Sequence, residues 1–403
     1  MRYILTIMNV SLGFSQLQDP LQAVNEAVGE AIIRLGKIPA NLAFIFTSTE
    51  FAYPLVLETA NNLLKETSIF GCSSSGIITN KGAFKHGVAV LLLNLGKQTF
   101  FNLAAVKNID NKTFNPLSGK ELGNKLLYGF KNVPRSLSII LSDKLVTEGV
   151  NLINELQTRI GKSFPLIGAS TSDNFAKNKT FQYLDQELLS ESCSGILFGG
   201  KFDFGFGIKH GWLSLGKIHS ITEASGNVIK KIDGLPAIRL YEDYFAKNAT
   251  ELAKELQRLS VFYPLGIYLP GEEEYLLRNI ASIKDDGSLV TQGDIPRYSK
   301  IRLMISTEES RLEATASACK EAKTGLGNKK IKFVIVFASA ARFSISEKQN
   351  EKELRVIKEI FGEDTPLIGI YTNGVQAPLK SINYMDQTYF HNQSTNILAI
   401  GGQ

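Results

Sequence analysis

The sequence is poor in the residues that carry most catalytic and metal chemistry. In 403 residues it has three cysteines (Cys72, Cys193 and Cys319), four histidines and one tryptophan. Three cysteines cannot all pair within one chain, and none has the spacing of a metal ligand. This argues against a disulfide scaffold and a zinc site, and makes a reducing cytosol the expected compartment. The histidines His86, His210, His219 and His391 share no spacing that would pin a catalytic partner. No apolar run approaches the roughly 18 residues needed to span a bilayer. The start, Met1–Val10, lacks the longer apolar core and cleavage site of a secretory leader and reads as a strand. There is no G-x-x-x-x-G-K-[ST] and no G-x-G-x-x-G at a strand–helix junction, so a phosphate cradle is disfavoured and no cofactor is expected. The net charge is +5, yet the lysines are scattered and not interleaved with aromatics, so nucleic acid is not an expected partner.

What remains is ordinary for a globular protein: 44% apolar and 21% charged residues. The length suits two or more domains, each with its own core. One stretch organises the chain. FPLIGASTSDNF, Phe164–Phe175, is an apolar strand that stops at Gly168 and opens into small polar residues. The signal occurs twice more, as SIFGCSSSGI (Ser68–Ile77) and PLIGIYTNGV (Pro366–Val375).

Around each copy the same order of elements is predicted. Tyr3–Val10 is a strand. Asp19-Pro20 caps a helix whose apolar face carries Leu21, Val24, Val28, Ala31, Ile32 and Leu35. Leu42–Phe46 is a strand, a helix follows from about Ala52 to Lys65, and Gly87–Leu95 is a buried strand. A second round runs through strand Thr99–Lys107, a helix capped by Asn115-Pro116, strand Leu137–Leu141, helix Val146–Ile160 and strand Ser194–Gly199. A third runs through strand Ile301–Ile305, helix Glu308–Lys323, strand Lys332–Phe337, helix Glu347–Phe361 and strand Asn396–Ile400. The expected fold is α/β, with mixed, largely parallel sheets covered by helices, built from three β-α-β-α-β-β units. Phe202–Lys300 is different. It opens on a hairpin at Ser220–Gly234 with Gly226-Asn227 at the turn. The domain boundary is placed near residue 225, giving domains 1–225 and 226–403.

In an α/β sheet, ligands bind outside the carboxyl ends of the strands. Here those ends carry Thr47, Ser48, Ser73, Ser74, Ser75, Ser142, Asp143, Ser170, Thr171, Ser172, Asp173, Ser339, Arg342, Thr372 and Asn373. They suit a pocket that hydrogen-bonds a small polar or anionic ligand. Turn chemistry accounts for the same residues, since Ser, Thr, Asn and Asp satisfy loop backbones. Arg278, inside the apolar strand YLLRNI, and Arg342, directly after an apolar strand, are candidates to hold a ligand carboxylate; a structural salt bridge is the alternative for each. Asp143 or Asp173 could receive an amine, and a carboxylate with an arginine would suit an amino-acid zwitterion. Cys72, in GCSSSG, is a nucleophile only if a histidine or a helix N-terminus activates it; a buried, inert thiol is the plainer reading. Glu272-Glu273-Glu274 reads as a solvated loop.

Several stretches together resemble the FIST family of sensory proteins. They are Phe44–Thr47, GCSSSGII (Gly71–Ile78), PLIGASTSD (Pro165–Asp173), VIVFASAAR (Val334–Arg342) and PLIGIYTNG (Pro366–Gly374). FYPLGI (Phe262–Ile267), YLLR (Tyr275–Arg278) and DGSL (Asp286–Leu289) add to them, and the sharpest is SITEASGNVIKKIDGLPAIRLYEDYF, Ser220–Phe245. The resemblance implies an N-terminal and a C-terminal FIST domain forming a signal-input module for small ligands, with amino acids the suggested class. The polar strand ends and the two arginines give Ser74, Ser75, Ser170, Asp173, Arg278, Arg342, Thr372 and Asn373 as the ligand-binding candidates. With nothing beyond Gln403, a separate output protein is the expected partner. Two departures stand out. Gly374-Val375-Gln376 replaces the usual Gly-Glu-Ile, and Ser339 and Ala341 stand where the family often has a Cys before a Gly-Arg pair. Two other functions remain open from the residues: a hydrolase or transferase using Cys72 or a neighbouring serine, and a protein–protein adaptor with a vestigial pocket.

Overall fold

In the computed structural model the described residues are 8–51, 53–107, 109, 117–143, 149–172, 180–296, 298–379 and 387–402. The expected Asn115-Pro116 cap, Asp173 and the start of the first expected strand lie outside them.

The first unit contains β1 (Asn9–Ser15), α1 (Pro20–Leu35), β2 (Leu42–Ser48), α2 (Tyr53–Leu64), β3 (Ser68–Ser74), the hairpin β4 (Ile77–Thr79)–β5 (Gly82–Phe84) and β6 (Val88–Asn94). The second contains β7 (Thr99–Val106), α3 (Ser118–Leu126), β8 (Arg135–Ser142), α4 (Gly149–Ile160), β9 (Leu166–Ser170), the hairpin β10 (Gln182–Leu184)–β11 (Glu187–Leu189) and β12 (Cys193–Gly200). The third opens on β13 (Asp203–Lys209), not on Ile301–Ile305. An insertion follows: β14 (Leu213–Ser225), β15 (Val228–Ile232), β16 (Leu235–Pro236), α5 (Arg239–Phe245), α6 (Ala249–Lys254), α7 (Leu256–Phe262), β17 (Leu265–Ile267), β18 (Leu276–Arg278), β19 (Ile280–Ile283), β20 (Leu289–Thr291) and β21 (Lys300–Ile305). The unit then resumes with α8 (Glu308–Leu326), β22 (Lys330–Ser339), α9 (Ala340–Phe343), α10 (Glu347–Phe361), β23 (Leu367–Thr372), the hairpin β24 (Gly374–Pro378)–β25 (Thr388–His391) and β26 (Thr395–Gly402).

The sheet orders are β1-β6-β2-β3-β10-β11, β7-β12-β8-β9-β24-β25 and β13-β26-β22-β23-β4-β5. Each unit therefore builds four strands of its own sheet, and its hairpin completes a different unit's sheet. Among the described residues each of these sheets has one parallel pairing, β2 with β3, β8 with β9 and β22 with β23, and its other neighbours are antiparallel. The expectation of largely parallel sheets is corrected on this point. Helical crossovers produce the single parallel pair, whereas the exchanged hairpins and the last strand of each unit return antiparallel. β21, expected to open the third unit, pairs instead with β14 and β17 in the insertion's own sheet.

The three sheets turn one face toward each other and the other toward helices. The inward faces form one core, with Phe44, Phe46, Phe70 and Leu91 from the first sheet, Ile139, Leu141, Ile167 and Ile196 from the second, and Ile335, Phe337, Ile368 and Leu398 from the third. The outward faces are covered by α1 and α2, by α3 and α4, and by α8 and α10. The near-continuous apolar strands of the sequence follow from burial on both faces.

The glycine of each repeated motif has a physical reason. Gly71, Gly168 and Gly369 lie opposite Ile45, Ile140 and Val336 on the parallel neighbour. A Cβ there would sit 1.8, 2.0 and 2.4 Å from the carbonyl oxygens of those residues. Backbone cannot yield as a side-chain tip can, so alanine at any of the three should cost at least about 2 kcal/mol in a denaturant titration. Gly29 of α1 meets nothing within 4 Å; Gly29→Ala should stabilise by about 0.5–1 kcal/mol. Equal tolerance at Gly71, Gly168 and Gly369 would contradict the close approach.

The exchanged hairpin β24–β25 also sets a pH dependence. His391 is buried, with Nε2 2.9 Å from the Ala377 carbonyl oxygen. Burial, with Arg278 adding its charge, lowers His391 to about 3. The unfolded chain takes up this proton near 6.5, so it binds more protons than the folded chain between those values. Stability should fall as pH drops below about 6.5, by up to about 1.4 kcal/mol per pH unit, until about pH 3. Glu274 adds acid sensitivity only lower: against the effect of its burial, His210 and Lys209 hold it at about 2. Urea titrations between pH 6.5 and 5 should therefore show a slope that His391→Gln flattens; an unchanged slope would contradict the assignment.

Candidate functional site

Side chains alternate along a strand, so the residue two past an inward apolar residue shares its face. Ser48, Asp143 and Ser339 follow Phe46, Leu141 and Phe337 in this way; Ser74, Thr171 and Thr372 follow Cys72, Ala169 and Ile370. On the last strands Ala89, Ser194 and Asn396 precede Leu91, Ile196 and Leu398. The apolar core thus ends, at the carboxyl ends of the crossover strands, in a buried layer of mostly small polar residues from all three units. The repeat extends to the backbone: Ser48, Asp143 and Ser339 donate their N–H groups to the carbonyl oxygens of Gly87, Ser192 and Ser394.

Behind this layer the third-strand ends are tied together. The Ser172 hydroxyl accepts from the Ser75 N–H at 3.0 Å and the Ser75 hydroxyl at 2.6 Å, and donates to the Tyr371 carbonyl at 2.5 Å. Tyr371 N–H donates to the Gly76 carbonyl at 3.0 Å, and Asn373 N–H to the Ser170 carbonyl at 3.1 Å. Gln376 Nε2 donates to the hydroxyls of Ser142 and Ser170, at 3.1 and 3.4 Å. One hydroxyl, that of Ser172, joins all three units.

Of the residues singled out in the sequence, Ser74, Ser75, Ser170, Thr372 and Asn373 are brought to this junction. Asp173 lies outside the described residues. Asp143 is committed: its carboxylate accepts from the Thr180 hydroxyl and from the Glu191 N–H. Arg342 is 1% exposed and pairs with Glu353 at 2.7 Å; its guanidinium also donates to the carbonyls of His210 and Gln393 and lies 5.6 Å from the Trp212 ring centroid. Arg278 donates to the carbonyls of Leu277, Phe390 and Asp294; burial pulls it down to about 10, opposed by Asp294. The arginines therefore grip β25 at Phe390 and the turn after it at Gln393, which delivers Asn396 to the layer. Glu274, expected in a solvated loop, instead pairs with Lys209 at 3.2 Å and His210 at 2.9 Å, because the insertion packs back onto the third unit.

The sequence reading missed Asn396. It lies between Ile208 and Phe337 in the sheet, is 0% exposed, and neither Nδ2 nor Oδ1 has a partner. Gln182 Nε2, Asn373 Nδ2 and Gln376 Oε1 are also buried without partners. Each such group costs about 1–3 kcal/mol unless something pairs with it. A polar residue at an inward position of the apolar strand TNILAI was the available signal.

Burial pushes the thiols of Cys72 and Cys193 far above the usual range, and burial with Glu353 raises Cys319 to about 12. No group of three or more His, Cys, Asp or Glu residues suited to a metal occurs among the described residues. No helix among them is long and apolar enough to cross a membrane. A concavity of about 480 Å³ lies in the insertion, lined by Lys217, His219, Asp233, Arg239 and Tyr244 among others.

The chain is 23% identical over 272 residues to an uncharacterised protein of Methanocaldococcus jannaschii, a match spanning 64% of this chain and 52% of that protein. It thus spans about half the length of the curated relative it matches. Solved structures similar over 98% of the chain include a cyanuric acid hydrolase (TM-score 0.38, 6% identity, all of that chain) and a chorismatase (0.37, 6%, 99%). A cyanuric acid hydrolase from A. caulinodans is similar too (TM-score 0.36, 8% identity, 99% of that chain). Residues 41–235 match the FIST N domain and residues 237–378 the FIST C domain. FIST domains are in general sensory modules that bind small ligands. The chain belongs to the FIST family, with a FIST N domain followed by a FIST C domain.

Proposed function

We propose that this protein is a non-enzymatic sensor that binds a small polar ligand at the buried strand-end layer, with amino acids the first class to test. The observation that carries the reading is convergence: strand ends from three units, far apart in sequence, share one layer that holds unpaired amide groups. A ligand there would touch every unit, and its binding would bias how the sheets meet. This is the property a sensor needs, because a ligand shifts an equilibrium only by contacting its states differently. The amino-acid class rests on the family resemblance. Arg278 and Arg342 add nothing to it, since the protein's own carbonyls and Glu353 occupy them. A separate output protein would read the change. Free thiols at Cys72, Cys193 and Cys319 suit a cytosolic protein.

The non-catalytic part of the reading is supported by Cys72. A nucleophile must be a thiolate, and burial works against ionisation there.

Thermal-shift titrations of the purified protein against amino acids and small organic acids test the reading. A ligand at 100 times its dissociation constant should stabilise by about 2.7 kcal/mol, giving a concentration-dependent rise in melting temperature. No shift with any compound would count against the sensor. The Cys72 thiol should react with an aromatic disulfide reagent far more slowly than free cysteine, at a rate set by unfolding. Reaction as fast as free cysteine would restore an enzymatic reading.

A further inference from the structure

The layer contains one side chain whose chemistry is specific enough to define its ligand. Asn396 is the third unit's counterpart of Ala89 and Ser194, set by the registers Ile45↔Val90, Ile140↔Gly195 and Val336↔Ile397. Two units thus place a methyl or a hydroxyl where the third places a carboxamide. That carboxamide is wholly buried and has neither of its polar atoms paired. Its strand neighbours on either side, Ile208 and Phe337, belong to the apolar core and offer it nothing.

A second group repeats the pattern. Gln182 on the exchanged hairpin β10 faces Cys72, as Val375 faces Ala169 and Ile77 faces Ile370 in the other sheets. Val375 and Ile77 are core residues, so Gln182 is another amide at an otherwise apolar inward position. Its Oε1 accepts from the Ser192 hydroxyl at 2.6 Å, and its Nε2 donor is left over.

We infer that the ligand of this layer presents an amide-type edge, a hydrogen-bond donor beside a carbonyl acceptor, to Asn396. A carboxamide, a cyclic imide or a pyrimidine-like ring meets that description. The inference rests on the sensor reading and narrows its ligand. A side-chain amide has a donor and an acceptor side by side whichever way it is flipped, so the conclusion does not depend on which atom is nitrogen. An edge of the same kind satisfies both, as in the two-bond pairing of asparagine with adenine. A carboxylate satisfies only Nδ2 and sets its charge against Oδ1; an ammonium satisfies only Oδ1. Either charged group leaves half of Asn396 unpaired in a buried site, which is how such sites reject the wrong analogue. The donor of Gln182 adds a place for a further carbonyl oxygen.

The experiment is calorimetric titration and thermal shift of the full chain with matched pairs that differ only in amide against acid: glutamine and glutamate, asparagine and aspartate, nicotinamide and nicotinate, with succinimide and uracil as cyclic imides. At least one amide or imide should bind, and each amide that binds should do so at least ten-fold more tightly than its acid. Asn396→Asp, nearly isosteric but with no donor when ionised, should cost the bound amide at least ten-fold in affinity. If that variant fails to fold, the selectivity of the unaltered chain within the pairs decides alone. Binding only by acids or by simple amino acids without an amide side chain would overturn the inference and leave the sensor reading standing. No binding by any compound, charged or neutral, would remove both.

Discussion

None of the three repeated sheets is finished by its own unit. The third strand of each unit has an open edge, and the hairpin that covers it belongs to another unit: β4–β5 covers β23, β10–β11 covers β3, and β24–β25 covers β9. An exposed strand edge is a liability, and here three edges are covered in a cycle, each unit capping one neighbour and capped by the other. The exchange closes the sheets around one apolar core. It also fixes where the polar strand ends go, because a hairpin that leaves one third strand and lands on another must cross the junction between them. The Ser172 hydroxyl, bonded to Ser75 and Tyr371, marks that crossing.

This constraint explains why the polar residues are buried. Loops normally run over the surface, where water satisfies them. Here the strand ends turn inside a closed assembly, so each polar group must find a partner in the protein. Most do. Asp143 takes the Thr180 hydroxyl and the Glu191 N–H, the Thr372 hydroxyl shares its one proton between the carbonyls of Ala338 and Gly374, and the two arginines bind the carbonyls of Phe390 and Gln393. Gln182, Asn373 and Gln376 each keep one buried atom unpaired, and Asn396 keeps both, which separates it from the residues that build the junction.

Much of the architecture was legible in the sequence. The apolar strands, the small residues at their ends and the glycine before each end are local signals, and the repeat made them stand out. The turn at Gly226-Asn227 was equally local. What was hidden is non-local. The hairpins look like loops because each has only short strands, three residues each in β4 and β5, and their partners lie in another unit. The first strand of the third unit, β13, is separated from its helix by the insertion, so Ile301–Ile305 was a natural stand-in. At the site the hydroxyls were legible, since they follow the apolar strands directly. Arg342 meets the structural salt bridge weighed for it, in Glu353, whereas the fate of Arg278 was not legible, because backbone carbonyls of distant segments, at Phe390 and Asp294, decide it. Asn396 was passed over because it sits at the beginning of its strand, and antiparallel pairing is what brings that beginning to the others' ends.

An experimental density map of the protein soaked with a stabilising compound tests most directly whether this buried layer holds a ligand. Non-protein density should then lie within hydrogen-bond distance of both side-chain polar atoms of Asn396, reaching toward the Gln182 amide. Asn396 paired with the protein's own groups, and the compound seated elsewhere, would contradict it.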